Sequence, residues 1–218
     1  MSAPFPAFQP PVRLLLGPGP SPVDPRILQA FNKPTLGHLD PQFLKLMDEV
    51  RVMLKQAFRT TNDLTFPVSG TGTAGMETCL VNLIEPGDEV LVLVQGYFGA
   101  RMADIAGRAG GKVTVLDARW GEGFEPAQVA AALKEKAYKI FAVVHAETST
   151  GYLQPVKELV ELAHQQGALA IVDAVTSTGG IPLEVDAWGI DAIYTGTQKC
   201  LGGPPGLAPI SFSPRAVE

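Results

Sequence analysis

KIFAVVHAETSTGYLQPVKELVELAHQQGALAIVD, residues 139–173, reads as strand, helix, strand. The runs KIFAVV and LAIVD are short and almost continuously apolar, which is the pattern of strands covered on both faces. QPVKELVELAHQQG between them has helical apolar spacing, so the two strands are expected to lie parallel. Upstream, DLTFPV, EVLVLV and KVTVL repeat the strand pattern. TAGMETCLVNLI, FGARMADIAGRAG and EPAQVAAALKEK supply helices between them. Downstream come DAIYTG and a last strand over Leu207–Phe212. This alternation predicts an α/β fold with a mostly parallel sheet covered by helices on both faces.

The chain before Leu64 is different. Residues 1–22 are rich in proline and are expected to form an extended arm that lies over something or reaches a neighbour. Residues 24–32 and Pro41–Phe58 read as helices. In the second, Phe43, Leu44, Met47, Val50, Leu54 and Phe58 recur at helical spacing, with Asp40 as cap and Pro41 at the first position. Residues 23–218 are therefore expected to form one large domain. With 218 residues and 46% hydrophobic content the chain is long and apolar enough for a real core.

Composition narrows the function. The net charge is −5, which gives no electrostatic footprint for nucleic acid. No apolar run approaches the roughly 20 residues of a membrane helix. The opening residues match neither a signal nor a transit peptide. Cys79 and Cys200 are too few for a disulfide framework, and His38, His145 and His164 have no metal-ligand spacing, so no metal site is expected. A cytoplasmic protein is expected, without nucleic-acid or membrane partners. The three histidines and Cys200 are expected to be structural, Cys200 as a small buried residue.

In parallel sheets ligands sit beyond the carboxyl ends of the strands. Those ends carry SGTGT (69–73), QGYF (95–98), HAETS (145–149), Asp173 and TGTQK (195–199). VSGTGTAGMET follows a strand and opens a helix; it suits an anion at the helix N-terminus, or else is a plain turn capped by a Thr hydroxyl. Asp173 ends a buried strand and needs a cation or several donors; capping the next loop is the alternative. Lys199, among small polar neighbours and before GGPPG, can become a carbonyl nucleophile, although most lysines only face solvent. A phosphate-type loop, a strand-end Asp and a late Lys together meet the needs of pyridoxal phosphate: an anion cradle, a partner for the ring nitrogen and a Schiff-base amine.

These segments, with LLLGPGPSPV, QGYFGARMADIA and HAETSTGYLQPV, resemble the alanine–glyoxylate and serine–pyruvate branch of the class V aminotransferases. The resemblance covers the chain from about Leu14 onward. It implies the large domain of a fold-type I pyridoxal phosphate enzyme, with a seven-stranded type of sheet. It also implies a smaller C-terminal domain that this sequence lacks, so the chain is expected to be truncated relative to the family. By resemblance Thr71, Gly72 and Thr73 form the phosphate turn and Gln198 is a further phosphate contact. Phe98 stands where the family has an aromatic, usually Trp, stacked on the cofactor ring. Ser149 matches the hydroxyl beside the ring oxygen, Asp173 the pyridinium partner and Lys199 the Schiff-base lysine. A homodimer and transfer of an amino group from alanine or serine to glyoxylate or pyruvate are implied likewise.

The rivals are a cysteine desulfurase or lyase of the same cofactor class and a truncated, non-catalytic cofactor-binding domain. Desulfurase relatives stack a histidine where Phe98 stands and use a Cys from a later loop. Among Phe98, Ser149, Gly151 and His145 there is no cation for a second substrate carboxylate, so acidic donors are expected to be used poorly.

Overall fold

The computed structural model describes residues 7–218; residues 1–6 of the expected arm lie outside the described residues. Residues 7–24 run without helix or strand. Their prolines remove backbone donors and fix φ, so regular pairing is not available to them. Helix α1 (Pro25–Ala30) is shorter than the expected 24–32, and α2 spans Pro41–Phe58 as read from its spacing. Asp24 and Asp40 cap them by accepting the N–H of Arg26 and Gln42. In each case a proline occupies the first turn, where its missing N–H costs nothing.

The chain then alternates β1 (Leu64–Ser69), α3 (Gly72–Leu83), β2 (Glu89–Val94), α4 (Tyr97–Arg108), β3 (Lys112–Asp117), α5 (Pro126–Leu133) and β4 (Ile140–Val144). A small hairpin, β5 (Ala146–Glu147) with β6 (Tyr152–Leu153), interrupts the run. It continues through α6 (Lys157–Gln165), β7 (Leu169–Asp173), α7 (Val185–Trp188), β8 (Ala192–Tyr194), β9 (Leu207–Phe212) and α8 (Pro214–Val217). Among the described residues, seven strands form one sheet in the order β1-β9-β8-β7-β4-β2-β3. Only β9 runs against its neighbours, antiparallel to both β1 and β8. The sheet is thus mostly parallel, as the alternation implies.

Strand β4 shows why its sequence is continuously apolar. Phe141 and Val143 pack on one face with Val129, Leu133, Leu159 and Val160 from α5 and α6. Ile140, Ala142 and Val144 pack on the other with Met76, Leu80, Met102 and Ala106 from α3 and α4. Each large side chain removed from water here contributes about 1.5–3 kcal/mol. By contrast α2 buries Phe58 alone, leaving Leu44, Leu46, Val52 and Met53 exposed. Among the described residues no helix is long and apolar enough to cross a membrane.

Candidate active site

Parallel strands point their carboxyl ends the same way, and the loops after β1, β2, β7 and β8 meet there around a cavity of about 210 Å³. Seven of the eight residues expected at the site line it: Thr71, Gly72, Thr73, Phe98, Asp173, Gln198 and Lys199. Ser149 is not among the lining residues. Its hydroxyl donates to Glu147 Oε1 at 2.7 Å and accepts the Tyr97 N–H at 2.9 Å. Met76, Arg101 and Val175, which the sequence did not single out, complete the wall.

The anion end is the start of α3. Thr71 is its N-cap residue, yet its side chain makes no capping hydrogen bond. The alternative of a plain Thr-capped turn therefore does not describe this helix start. First-turn N–H groups have no intrahelical acceptor, and the helix dipole places partial positive charge there. Gly72 is closely packed: a Cβ there would lie 2.9 Å from Val175 Cγ2, so that side chain would have to shift.

Asp173 is the last residue of β7 and is 3% exposed. The register sets it directly opposite Tyr194 of β8. The Tyr194 hydroxyl donates to Oδ2 at 2.8 Å and the Val175 N–H to Oδ1 at 2.9 Å. Burial pushes the Asp173 carboxyl up to about 6; these two donors hold it down, Glu147 raises it and Lys199 lowers it. Burial and the neighbouring Asp173 push Tyr194 well above its usual 10, so it stays a donor. Tyr194 was not foreseen as a site residue, since within AIY it reads as one more apolar strand position.

Lys199 sits in the loop after β8, and its Nζ donates to the carbonyl of Pro18 at 2.8 Å. The arm is fastened to this loop twice more, by the Ser21 N–H on Gln198 O at 2.8 Å and the Ser21 hydroxyl on Lys199 O at 2.9 Å. Gly19, at φ +122°, leaves room for the lysine; a Cβ there would be 2.5 Å from Lys199 Cδ. What the arm lies over is thus the lysine itself.

Glu147 holds the first turn of α4, which carries Phe98. Its Oε2 accepts the N–H groups of Phe98 and Gly99 at 3.1 and 3.2 Å, and its Oε1 accepts the Ser149 N–H at 3.1 Å. His145 is buried: Nδ1 shares a hydrogen bond of 3.0 Å with Ser177 Oγ, and burial pushes the imidazole down to about 4. Cys200 corrects the expectation of a buried thiol. It is exposed, because the turn after Lys199 runs along the surface, and its Sγ donates to Thr176 O at 3.1 Å.

Arg101 adds a cation beside Phe98 that the expected set of Phe98, Ser149, Gly151 and His145 did not include. It projects from α4 into the wall, where Nη1 donates to Thr73 Oγ1 at 2.9 Å and Nη2 to Tyr97 Oη at 2.8 Å. The guanidinium lies 4.8 Å from the Tyr97 ring centroid and 5.4 Å from that of Phe98.

The donor set fits pyridoxal phosphate. A helix start free of its side-chain cap meets an anion; a buried, donor-held carboxyl meets a ring nitrogen; and an amine stands on the wall of the same cavity. Gln198 Oε1 is buried without a partner, an orphan that a bound group would relieve, since turning the amide presents two N–H donors instead.

The aminotransferase class-V family model matches residues 15–218. The chain is 43% identical over 208 residues to the (S)-ureidoglycine–glyoxylate transaminase of Bacillus subtilis, covering 95% of this chain and 50% of that one. It is 43% identical to the alanine–glyoxylate aminotransferase of Drosophila melanogaster, over 95% of this chain and 53% of that one. The crystal structure of alanine–glyoxylate aminotransferase from Nostoc sp. superposes with a TM-score of 0.97 at 49% identity, over 99% of this chain and 57% of that one. The chain spans about half the length of the curated relatives it matches.

Proposed function

The chain belongs to the class-V aminotransferase family, and from that premise we propose that it forms the cofactor-holding part of a pyridoxal phosphate-dependent aminotransferase. The amino group passes from a small amino acid, alanine or serine, to glyoxylate or pyruvate. The observation that carries this reading is the convergence of Lys199, Asp173 and the open N-terminus of α3 on one cavity.

Thr71, Gly72, Thr73 and Gln198 hold the phosphate, the helix start adding its dipole. Phe98 would pack against the cofactor ring; lacking an indole N–H, it would contribute packing only. Ser149, bonded to Glu147 here, would be the hydroxyl beside the ring oxygen. Asp173 holds a proton at the ring nitrogen, and that ion pair offsets the burial that otherwise raises its carboxyl. Lys199 Nζ would hold the cofactor and, once free of it, would serve as the general base that takes the proton from the donor's Cα. When bound, the cofactor supplies the electron sink for the pair left at that carbon.

We further infer an arm over 1–22 and a large domain over 23–218. A homodimer is supported by the apolar side chains that α2 leaves exposed, which a partner subunit could cover. Two unpaired cysteines suit a reducing compartment, the cytoplasm.

Borohydride reduction of the cofactor-loaded protein followed by mass mapping tests the reading. The label is expected on Lys199, and Lys199→Ala is expected to abolish transamination while a weaker complex with the cofactor persists. A label on another lysine would overturn the assignment.

A further inference from the structure

We propose that Arg101 makes the cavity selective for a phosphorylated ligand over the same ligand without phosphate. The inference rests on the proposed cofactor and adds a residue to its anion end. Arg101 lines the cavity, and Nη1 is tied at 2.9 Å to the hydroxyl of Thr73, the second residue of α3. Nη2 is tied to the Tyr97 hydroxyl at 2.8 Å, and the guanidinium lies over the Tyr97 and Phe98 rings. Two neutral hydrogen-bond acceptors and two ring faces thus fix its orientation before any ligand arrives.

None of these contacts neutralises it. Among the described residues no carboxylate pairs with Arg101, although its helix neighbour Arg108 pairs with Asp104. A half-buried guanidinium without an acid has lost hydration and regains free energy when an anion takes its remaining N–H groups. The link to Thr73 sets that charge at the end of the cavity where the first turn of α3 already favours an anion. Fixed cation and helix start reinforce each other there.

Equilibrium titrations of the chain with pyridoxal phosphate and with pyridoxal, compared between parent and Arg101→Met, test this. Arg101→Met is expected to weaken pyridoxal phosphate about 10–100-fold, the range for a charge-assisted hydrogen bond. Pyridoxal is expected to change less than about threefold, since it brings no anion to that end. Arg101→Lys keeps the charge but loses the fork, and a smaller loss for the phosphate ester alone is expected. Should Arg101→Met fail to fold, Arg101→Gln is read in the same titrations, with the same result expected. Equal weakening of both ligands would overturn the inference, leaving Arg101 as a shaping residue. Unchanged affinities combined with a raised KM for glutamate would overturn it in favour of a substrate contact. If the parent binds neither ligand, the proposed cofactor itself falls, and this inference with it.

Discussion

Tyr194→Phe is the sharpest probe of the site, because it removes one oxygen and little volume. That oxygen is a fully buried donor 2.8 Å from a carboxylate that burial has already raised to about 6. A hydrogen bond to a charged group is worth about 1.5–3 kcal/mol. At 1.36 kcal/mol per pKa unit, its loss is expected to raise Asp173 by a further one to two units or so, to about 7–8. In the folded parent the carboxyl keeps its proton up to about 6, whereas in the unfolded chain it releases it near the ordinary value of 3.8. The folded state therefore binds more protons across pH 4–6, and the contribution of Asp173 to stability is lost as pH rises through that window. In the variant the loss continues to about pH 8. His145 acts with the opposite sign: depressed to about 4, it stays neutral when folded, and its contribution grows as pH rises from about 4 to 6.5. Being present in both proteins, it cancels in their difference, as do the charges of Glu147 and Lys199. Urea unfolding at pH 5.5, 7 and 8.5 measures that difference. It is expected to widen by about 1–2 kcal/mol from the lowest to the highest pH, the gap between a neutral and a charged hydrogen bond. A difference constant with pH would refute the reasoning, since Tyr194 would then be only a packing residue.

Gly19→Ala is expected to destabilise the arm by about 1–3 kcal/mol, since it forces a left-handed backbone on alanine and drives a Cβ to 2.5 Å from Lys199 Cδ. Faster acylation of Lys199, followed by mass spectrometry, is the readout; an unchanged rate counts against the arm as its cover. For a full-length form of the enzyme, kcat/KM is expected to be higher for alanine or serine than for glutamate by about tenfold or more, because Arg101 is engaged at the anion end and a second carboxylate would be buried unpaired at several kcal/mol. A donor panel decides this, and glutamate outperforming both small donors would refute it.

Much of the fold is legible because burial on both faces leaves so little choice of residue. EVLVLV, IFAVV and LAIVD are strands β2, β4 and β7, with nearly every position buried. The reversal of β9 is not legible, since direction depends on pairing with β1 and β8 rather than on local pattern. The two-residue strands β5 and β6 and the four-residue helix α7 are too short to build a period. At the site, polar residues at the ends of apolar strands stand out, so Asp173 and Lys199 were visible. Arg101 was not. On α4 it resembles a solvent-facing residue one turn after Tyr97, and only the cross-strand geometry that brings α3 beside α4 turns it inward. Glu147 was hidden in the same way, as one polar letter in HAETST whose partners lie 48 and 49 residues earlier in the chain.

The cavity wall joins Thr71 to Lys199, and the lysine is in turn held by Pro18. No consecutive fragment of the sheet contains it: β7 must pair with β8 before Asp173 meets Tyr194, and the loop after β8 must then reach the arm. During synthesis the first hundred and seventy or so residues can collapse around β2, β4 and their helices, but they hold neither the carboxyl nor the amine. Ligand capture is therefore expected to be among the final events of folding. An optical signal from the bound cofactor would report completed tertiary structure rather than secondary structure, and it would serve as a direct assay of how many molecules in a refolding mixture have reached the native topology.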